Sequence, residues 1–140
     1  MKREYPEAPI VSVALIVRRD SRALIVQRGT QPNKGRWTIP GGAVDVGEHL
    51  RDTGRREVRE ECGIDVTVGD LAGVFEAIVP DGAGRVHYHY VIIDYLAEYV
   101  SGDLTPASDI VDARWVTLEQ LGEYDITERA RHVLEDVLRN

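Results

Sequence analysis

Apolar and polar positions are grouped in blocks along this chain, and the period of the grouping changes from block to block. Residues 10–17 and 23–27 are runs of β-branched and aliphatic side chains separated by Arg18 to Arg22, with Asp20 and Ser21 as turn formers. Two such runs around a short polar stretch predict a β-hairpin, and their near-continuous apolarity predicts strands buried on both faces. Residues 50–62 contain no proline and no β-branched run. Leu50, Gly54, Val58 and Cys62 recur every fourth position and Gly63 follows, which predicts a helix closed by a glycine C-cap. Strand patterning returns at residues 66–68, 71–79 and 86–100, with a turn over 80–84. A loop over 102–110, a short strand over 113–116 and a short helix over 117–121 come next, the helix opened by a Thr117 and Gln120 capping box. Asp125 or Thr127 is placed to cap a last helix running to Asn140, with Ala130, Val133, Leu134, Val137 and Leu138 on its inner face. Strands around a central helix, closed by a second helix, imply an α/β domain in which helices cover a mixed sheet.

The central helix carries the candidate chemistry. Glu57, Glu60 and Glu61 stand at i, i+3 and i+4, so a helix presents all three carboxylates on one face. They lie in its last turns, where each acid opposes the macrodipole by about 0.3–1 kcal/mol and Glu57 and Glu61 repel across one turn. Arg55, Arg56 and Arg59 offset part of this, and Asp52 with Arg56 reads as an ordinary i, i+4 surface pair. A solvated charged face is the simple alternative, but a divalent cation resolves the conflict better. Hard ions such as Mg²⁺ are held by carboxylate and carbonyl oxygens together with waters and substrate phosphates. Just upstream, the polar loop 28–36 delivers Arg28, Lys34 and Arg36 ahead of Trp37 and a Pro40-Gly41-Gly42 turn. These are candidate phosphate contacts, with the indole as a plane for a base.

Composition narrows the partners. A chain of 140 residues is one domain, residues 1–140, and is long enough to fold alone. Its net charge of −7 has the wrong sign for binding nucleic-acid polymers or an anionic membrane. A single nucleotide is still allowed, because a bound metal supplies local positive charge. Cys62 is the only cysteine, so no intrachain disulfide forms, and a reducing, cytoplasmic setting is expected. The apolar run 10–17 is too short to span a bilayer. His87 and His89 share a strand face without a third zinc ligand at a recognisable spacing.

Gly42, Glu48, Arg56, Glu57, Val58, Glu60, Glu61, Gly63 and Ile64 match the Nudix box, G-x5-E-x7-R-E-U-x-E-E-x-G-U with U a bulky aliphatic, without a mismatch. The chain therefore resembles the Nudix hydrolases, and in its element order the resemblance covers nearly the whole length. It implies the α/β/α sandwich of that family and hydrolysis of a nucleoside diphosphate linked to another group, with Mg²⁺ or Mn²⁺ and water attack on phosphorus. By position, Glu57, Glu60 and Glu61 resemble the metal ligands, and the carbonyl of Gly41 or Ala43 adds another. Glu48 supports the site and Arg56 orients the carboxylates. The general base is either Glu57 or, from a distal loop, Asp109. Pro80, sixteen residues after Ile64, matches the ADP-ribose pyrophosphatase branch and points to ADP-ribose. Nucleoside triphosphates, nucleotide sugars and a non-enzymatic nucleotide sensor are the alternatives, and a homodimer stays open. Gly54 departs from the alanine usual in the family at this helix position, at about 1 kcal/mol of helix propensity.

Overall fold

The computed structural model describes residues 2–140. Strands β1 (Ile10–Arg19) and β2 (Arg22–Arg28) form the expected hairpin, with Arg18 opposite Ala23 and Arg19 opposite Arg22. Beyond the turn the two strands part. β2 pairs onward with the two-residue β3 (Trp37–Thr38) and with β7 (Ile110–Val116), while β4 (Gly41–Ala43) takes the edge of β1 at residues 12–14. A strand edge left bare inside the protein would leave backbone groups unpaired. Residues 41 and 42, expected in a turn, are therefore drawn into the ladder. On its other edge β1 runs parallel to β6 (Val86–Ser101), and β6 is antiparallel to β5 (Asp65–Pro80). The order β3-β2-β1-β6-β5 is a mixed sheet.

Alternation along β1 explains why its apolarity is continuous. Val13, Leu15 and Val17 face one cluster with Val58, Cys62 and Ile64, and Ala14 and Ile16 face a second with Leu121, Ala130 and Leu134. The first cluster lies under α1 (Leu50–Cys62) and the second under α2 (Glu128–Arg139). The result is the α/β/α sandwich. Cys62 is a buried free thiol, pushed up to about 12 by burial and by the charge of Glu61, so it packs rather than reacts.

Helix α1 has the predicted bounds, and Gly63 closes it at φ 74° with its N–H on Arg59 O at 2.9 Å. Gly54 has a packing cause: a Cβ there would come within 2.7 Å of Leu15 Cδ2. β5 is one strand where two were expected, its register shifts between Val68 and Gly73 absorbing the intervening residues as bulges. β7 starts at Ile110, three residues earlier than predicted, and the short helix is a 3₁₀ turn over Glu119–Glu123. Thr117 N–H donates to Gln120 Oε1 at 2.9 Å, which is one half of the expected capping box. Thr127 stands at the N-cap of α2, but its hydroxyl donates to Thr38 Oγ1 at 3.3 Å instead of capping the helix. Among the described residues no helix is long and apolar enough to cross a membrane.

Candidate active site

Arg56 is the hub of the site. Its Nε and Nη2 donate to the two oxygens of Glu48 at 2.8 and 2.9 Å, and Nη2 also reaches Ala43 O at 3.1 Å. Nη1 donates to Glu57 at 2.8 Å and to Glu60 at 3.3 Å, and Asp45 lies 3.4 Å from Nη2. One guanidinium thus ties the loop before α1 to the glutamates on it. Arg56 is spent inward, and Asp52, expected as its surface partner, pairs with Arg55 instead. Thr53, fully buried, donates to Glu48 Oε1 at 2.7 Å. Arg56 first and Thr53 second hold the Glu48 carboxyl down at about 2, so Glu48 is a permanent anion that orients Arg56.

Four carboxylates, those of Asp45, Glu48, Glu57 and Glu60, share this one guanidinium. Glu57 presses directly over Gly42, where any Cβ would lie 2.3 Å from its carboxyl carbon. The box glycine is a seat for the glutamate. Burial raises the Glu57 carboxyl, against the pull of Arg56.

Glu61 is the most exposed to electrostatic cost. It is 7% accessible, and the only hydrogen bond to its carboxylate among the described residues is from Gly41 N–H at 3.0 Å. Burial pushes its carboxyl up to about 8; the charges of Glu57 and Asp109 add to this, and the Gly41 N–H and Arg28 oppose it. A buried carboxylate without an ion pair beside a second desolvated one is a hard-oxygen donor set short of positive charge, which fits a divalent cation. Among the described residues no three acidic, histidine or cysteine side chains already converge on one point. Arg56 bridges Glu57 and Glu60, while Glu61 is folded onto Gly41, so the three acids share a helix face without sharing a centre.

Of the basic loop residues, Arg28 alone reaches this region. Burial lowers its guanidinium first and the charge of Arg3 second, with Glu61 and Asp109 acting the other way. Arg36 is turned to Asp125 at 3.3 Å and Ile126 O at 3.2 Å, and Lys34 is exposed in the loop. Trp37 corrects an expectation. Its indole is buried in the cluster under α2, edge-on to Tyr124 at 5.0 Å, and presents no open plane for a base. Together Arg36 and Trp37 fasten the loop to the segment leading into α2. Asp109 is half-exposed, accepts from Arg3 Nη2 at 3.0 Å, and its carbonyl takes Gly29 N–H at 2.7 Å. It therefore stands at the end of β2, next to Arg28.

Sequence reasoning missed Asp45, Thr53 and Arg3. Thr53 had a signal, a polar side chain adjoining the apolar stripe of the helix, one turn before Glu57. Arg3 had none, because only the fold brings it to Asp109.

The NUDIX domain family profile matches residues 8–137, and the chain belongs to that family. It is 31% identical over 113 residues to an ADP-ribose pyrophosphatase of Methanocaldococcus jannaschii, covering 81% of this chain and 64% of that protein. It is 29% identical to the nucleoside triphosphatase NudI of Salmonella heidelberg, covering 79% of this chain and 81% of that one. The crystal structure of a MutT NUDIX hydrolase from Burkholderia pseudomallei superposes with a TM-score of 0.79 at 32% identity, covering 94% of this chain and 99% of the other.

Proposed function

We propose that this protein hydrolyses the phosphoanhydride of a small nucleoside diphosphate derivative, with ADP-ribose, cleaved to AMP and ribose 5-phosphate, as the preferred substrate. The observation that carries the proposal is Glu61, a buried carboxylate held beside Glu57 without an ion pair. Glu57, Glu60 and Glu61, with the Gly41 or Ala43 carbonyl, would hold Mg²⁺ or Mn²⁺. When bound, such an ion neutralises diphosphate charge and acidifies a water. The chain's own part is positional: Glu48 and Thr53 fix Arg56, and Arg56 fixes Glu57 and Glu60. Glu57 and Asp109 are the candidate bases for the attacking water. The base takes a proton from the water as its oxygen bonds to one phosphorus and the bond from that phosphorus to the bridging oxygen breaks, and the other phosphate leaves with the bridging oxygen.

Three things support ADP-ribose: the likeness to the M. jannaschii enzyme, the Pro80 spacing, and an overall charge of −7 that disfavours more highly charged substrates. The likeness to a nucleoside triphosphatase favours a second reading, hydrolysis of triphosphates. Comparing kcat/KM for ADP-ribose, ATP, dGTP and a sugar nucleotide at equal Mg²⁺ decides between them. A tenfold preference corresponds to about 1.4 kcal/mol of transition-state discrimination. If a triphosphate leads by that margin, ADP-ribose is the wrong substrate.

A further inference from the structure

Residues 3–5 run from the start of β6 to the start of β7 and are held at both places. Tyr5 gives its N–H to His87 O at 2.8 Å, stacks on the His87 ring at 4.8 Å and 21°, and donates its hydroxyl to Asp81 at 2.9 Å. The Arg85 guanidinium covers the Tyr5 ring at 4.4 Å, and Glu4 meets His87 Nε2 at 2.9 Å. The β5–β6 hairpin is thus the anchor of a strap. At the strap's far end Arg3 donates to Asp109, which is tied through its carbonyl to Gly29, the neighbour of Arg28.

Arg3 is thus bonded to Asp109 and brought near enough to Arg28 for its charge to lower that guanidinium, while Arg28 and Asp109 both act on Glu61. Like charges held together repel, and the Asp109 carboxylate bonded to Arg3 supplies one counter-charge to the pair. Each is lightly committed: Arg3 engages Asp109 through Nη2, and Arg28 engages Pro32 O through Nε at 2.6 Å. A guanidinium has five N–H donors in a planar fork that matches phosphate oxygens, and most of these donors have no protein partner among the described residues.

We propose that residues 3–5 flank the candidate active site at Asp109 and that Arg3, paired with Arg28, binds a phosphate group of the substrate, a role that rests on the diphosphate-hydrolase function proposed above. Tyr5 is the positioning residue, since it fixes the strap without touching substrate.

The test is equilibrium binding of α,β-methylene-ADP, a non-hydrolysable nucleoside diphosphonate, in Mg²⁺ by titration calorimetry. Wild type, Arg3→Gln, Tyr5→Ala and the charge-matched surface variant Arg139→Gln are compared, each checked as folded by its thermal melt. Arg3→Gln and Tyr5→Ala should each weaken binding about tenfold, the loss of a charge-assisted contact, and Arg139→Gln should bind as wild type does. Wild-type affinity in Arg3→Gln, or no binding by wild type itself, overturns the proposal; wild-type affinity in Tyr5→Ala overturns the strap's part in it. If wild type hydrolyses ADP-ribose while Arg3→Gln binds normally, this inference fails and the function stands. If binding depends on Arg3 but no diphosphate is cleaved, the function fails and the phosphate site stands.

Discussion

Replacing Glu61 by glutamine isolates the electrostatic cost at the centre of the site. The Glu61 carboxyl sits at about 8 in the folded protein against an ordinary 4.5. Between those values the native state keeps a proton that the unfolded chain has already released, so stability falls as pH rises through the window and levels off above about 8. Each pH unit is worth about 1.36 kcal/mol, and the three units from pH 5 to pH 8 therefore remove about 4 kcal/mol. Glu61→Gln keeps the side-chain shape and an oxygen for the Gly41 N–H, but it does not titrate. Urea unfolding of both proteins in EDTA at half-unit pH steps gives the difference directly, and groups common to both cancel. Wild-type stability minus variant stability should decline by about 4 kcal/mol between pH 5 and pH 8. Saturating Mg²⁺, at a hundredfold over its Kd, should then return about 2.7 kcal/mol to wild type and much less to the variant. Parallel curves across this range, or equal Mg²⁺ stabilisation of the two proteins, would refute the placement of Glu61 as a buried acid awaiting a cation.

Three further outcomes follow from the packing. Gly42→Ala should leave the fold intact but lower kcat by at least about a hundredfold in steady-state assays, because a Cβ 2.3 Å from the Glu57 carboxyl displaces it. Gly54→Ala should destabilise by about 1 kcal/mol or more in urea despite its better helix propensity, since it meets Leu15, and Leu15→Val should recover part of the loss. Arg129→Gln strands Asp94, which is fully buried, bonded to Arg129 at 2.6 Å and raised by burial to about 6. It should cost about 3–5 kcal/mol at pH 7.5 and less at pH 5, where Asp94 takes up a proton; equal losses at the two pH values would contradict this.

Helix α1, its glycine cap and the hairpin were legible because each follows from local periodicity and turn chemistry, which act over a few residues. The box residues were legible for the same reason: Gly42, Glu48, Arg56 and the three glutamates lie within a few turns of one another along the chain. The errors fall where a distant segment decides. Pro40-Gly41-Gly42 reads locally as a turn, yet β1 needs a partner on its open edge and takes residues 41–43 as strand. Trp37 reads as a substrate contact next to a basic loop, but the segment before α2 claims it and buries the indole, and Arg36 is turned toward that same segment. Gly54 looked like a weak point in the helix, and Leu15 on β1 turns it into a requirement of close packing.

The most direct test of the proposed chemistry is product analysis with ADP-ribose in Mg²⁺, comparing wild type with Glu60→Gln and Glu61→Gln and repeating the wild-type reaction in EDTA. Wild type in Mg²⁺ should yield AMP and ribose 5-phosphate in equal amounts, EDTA should stop the reaction, and the two variants, still folded, should be slower by orders of magnitude. Undiminished turnover in both variants, or the absence of hydrolysis by wild type with Mg²⁺ and Mn²⁺ alike, would contradict it.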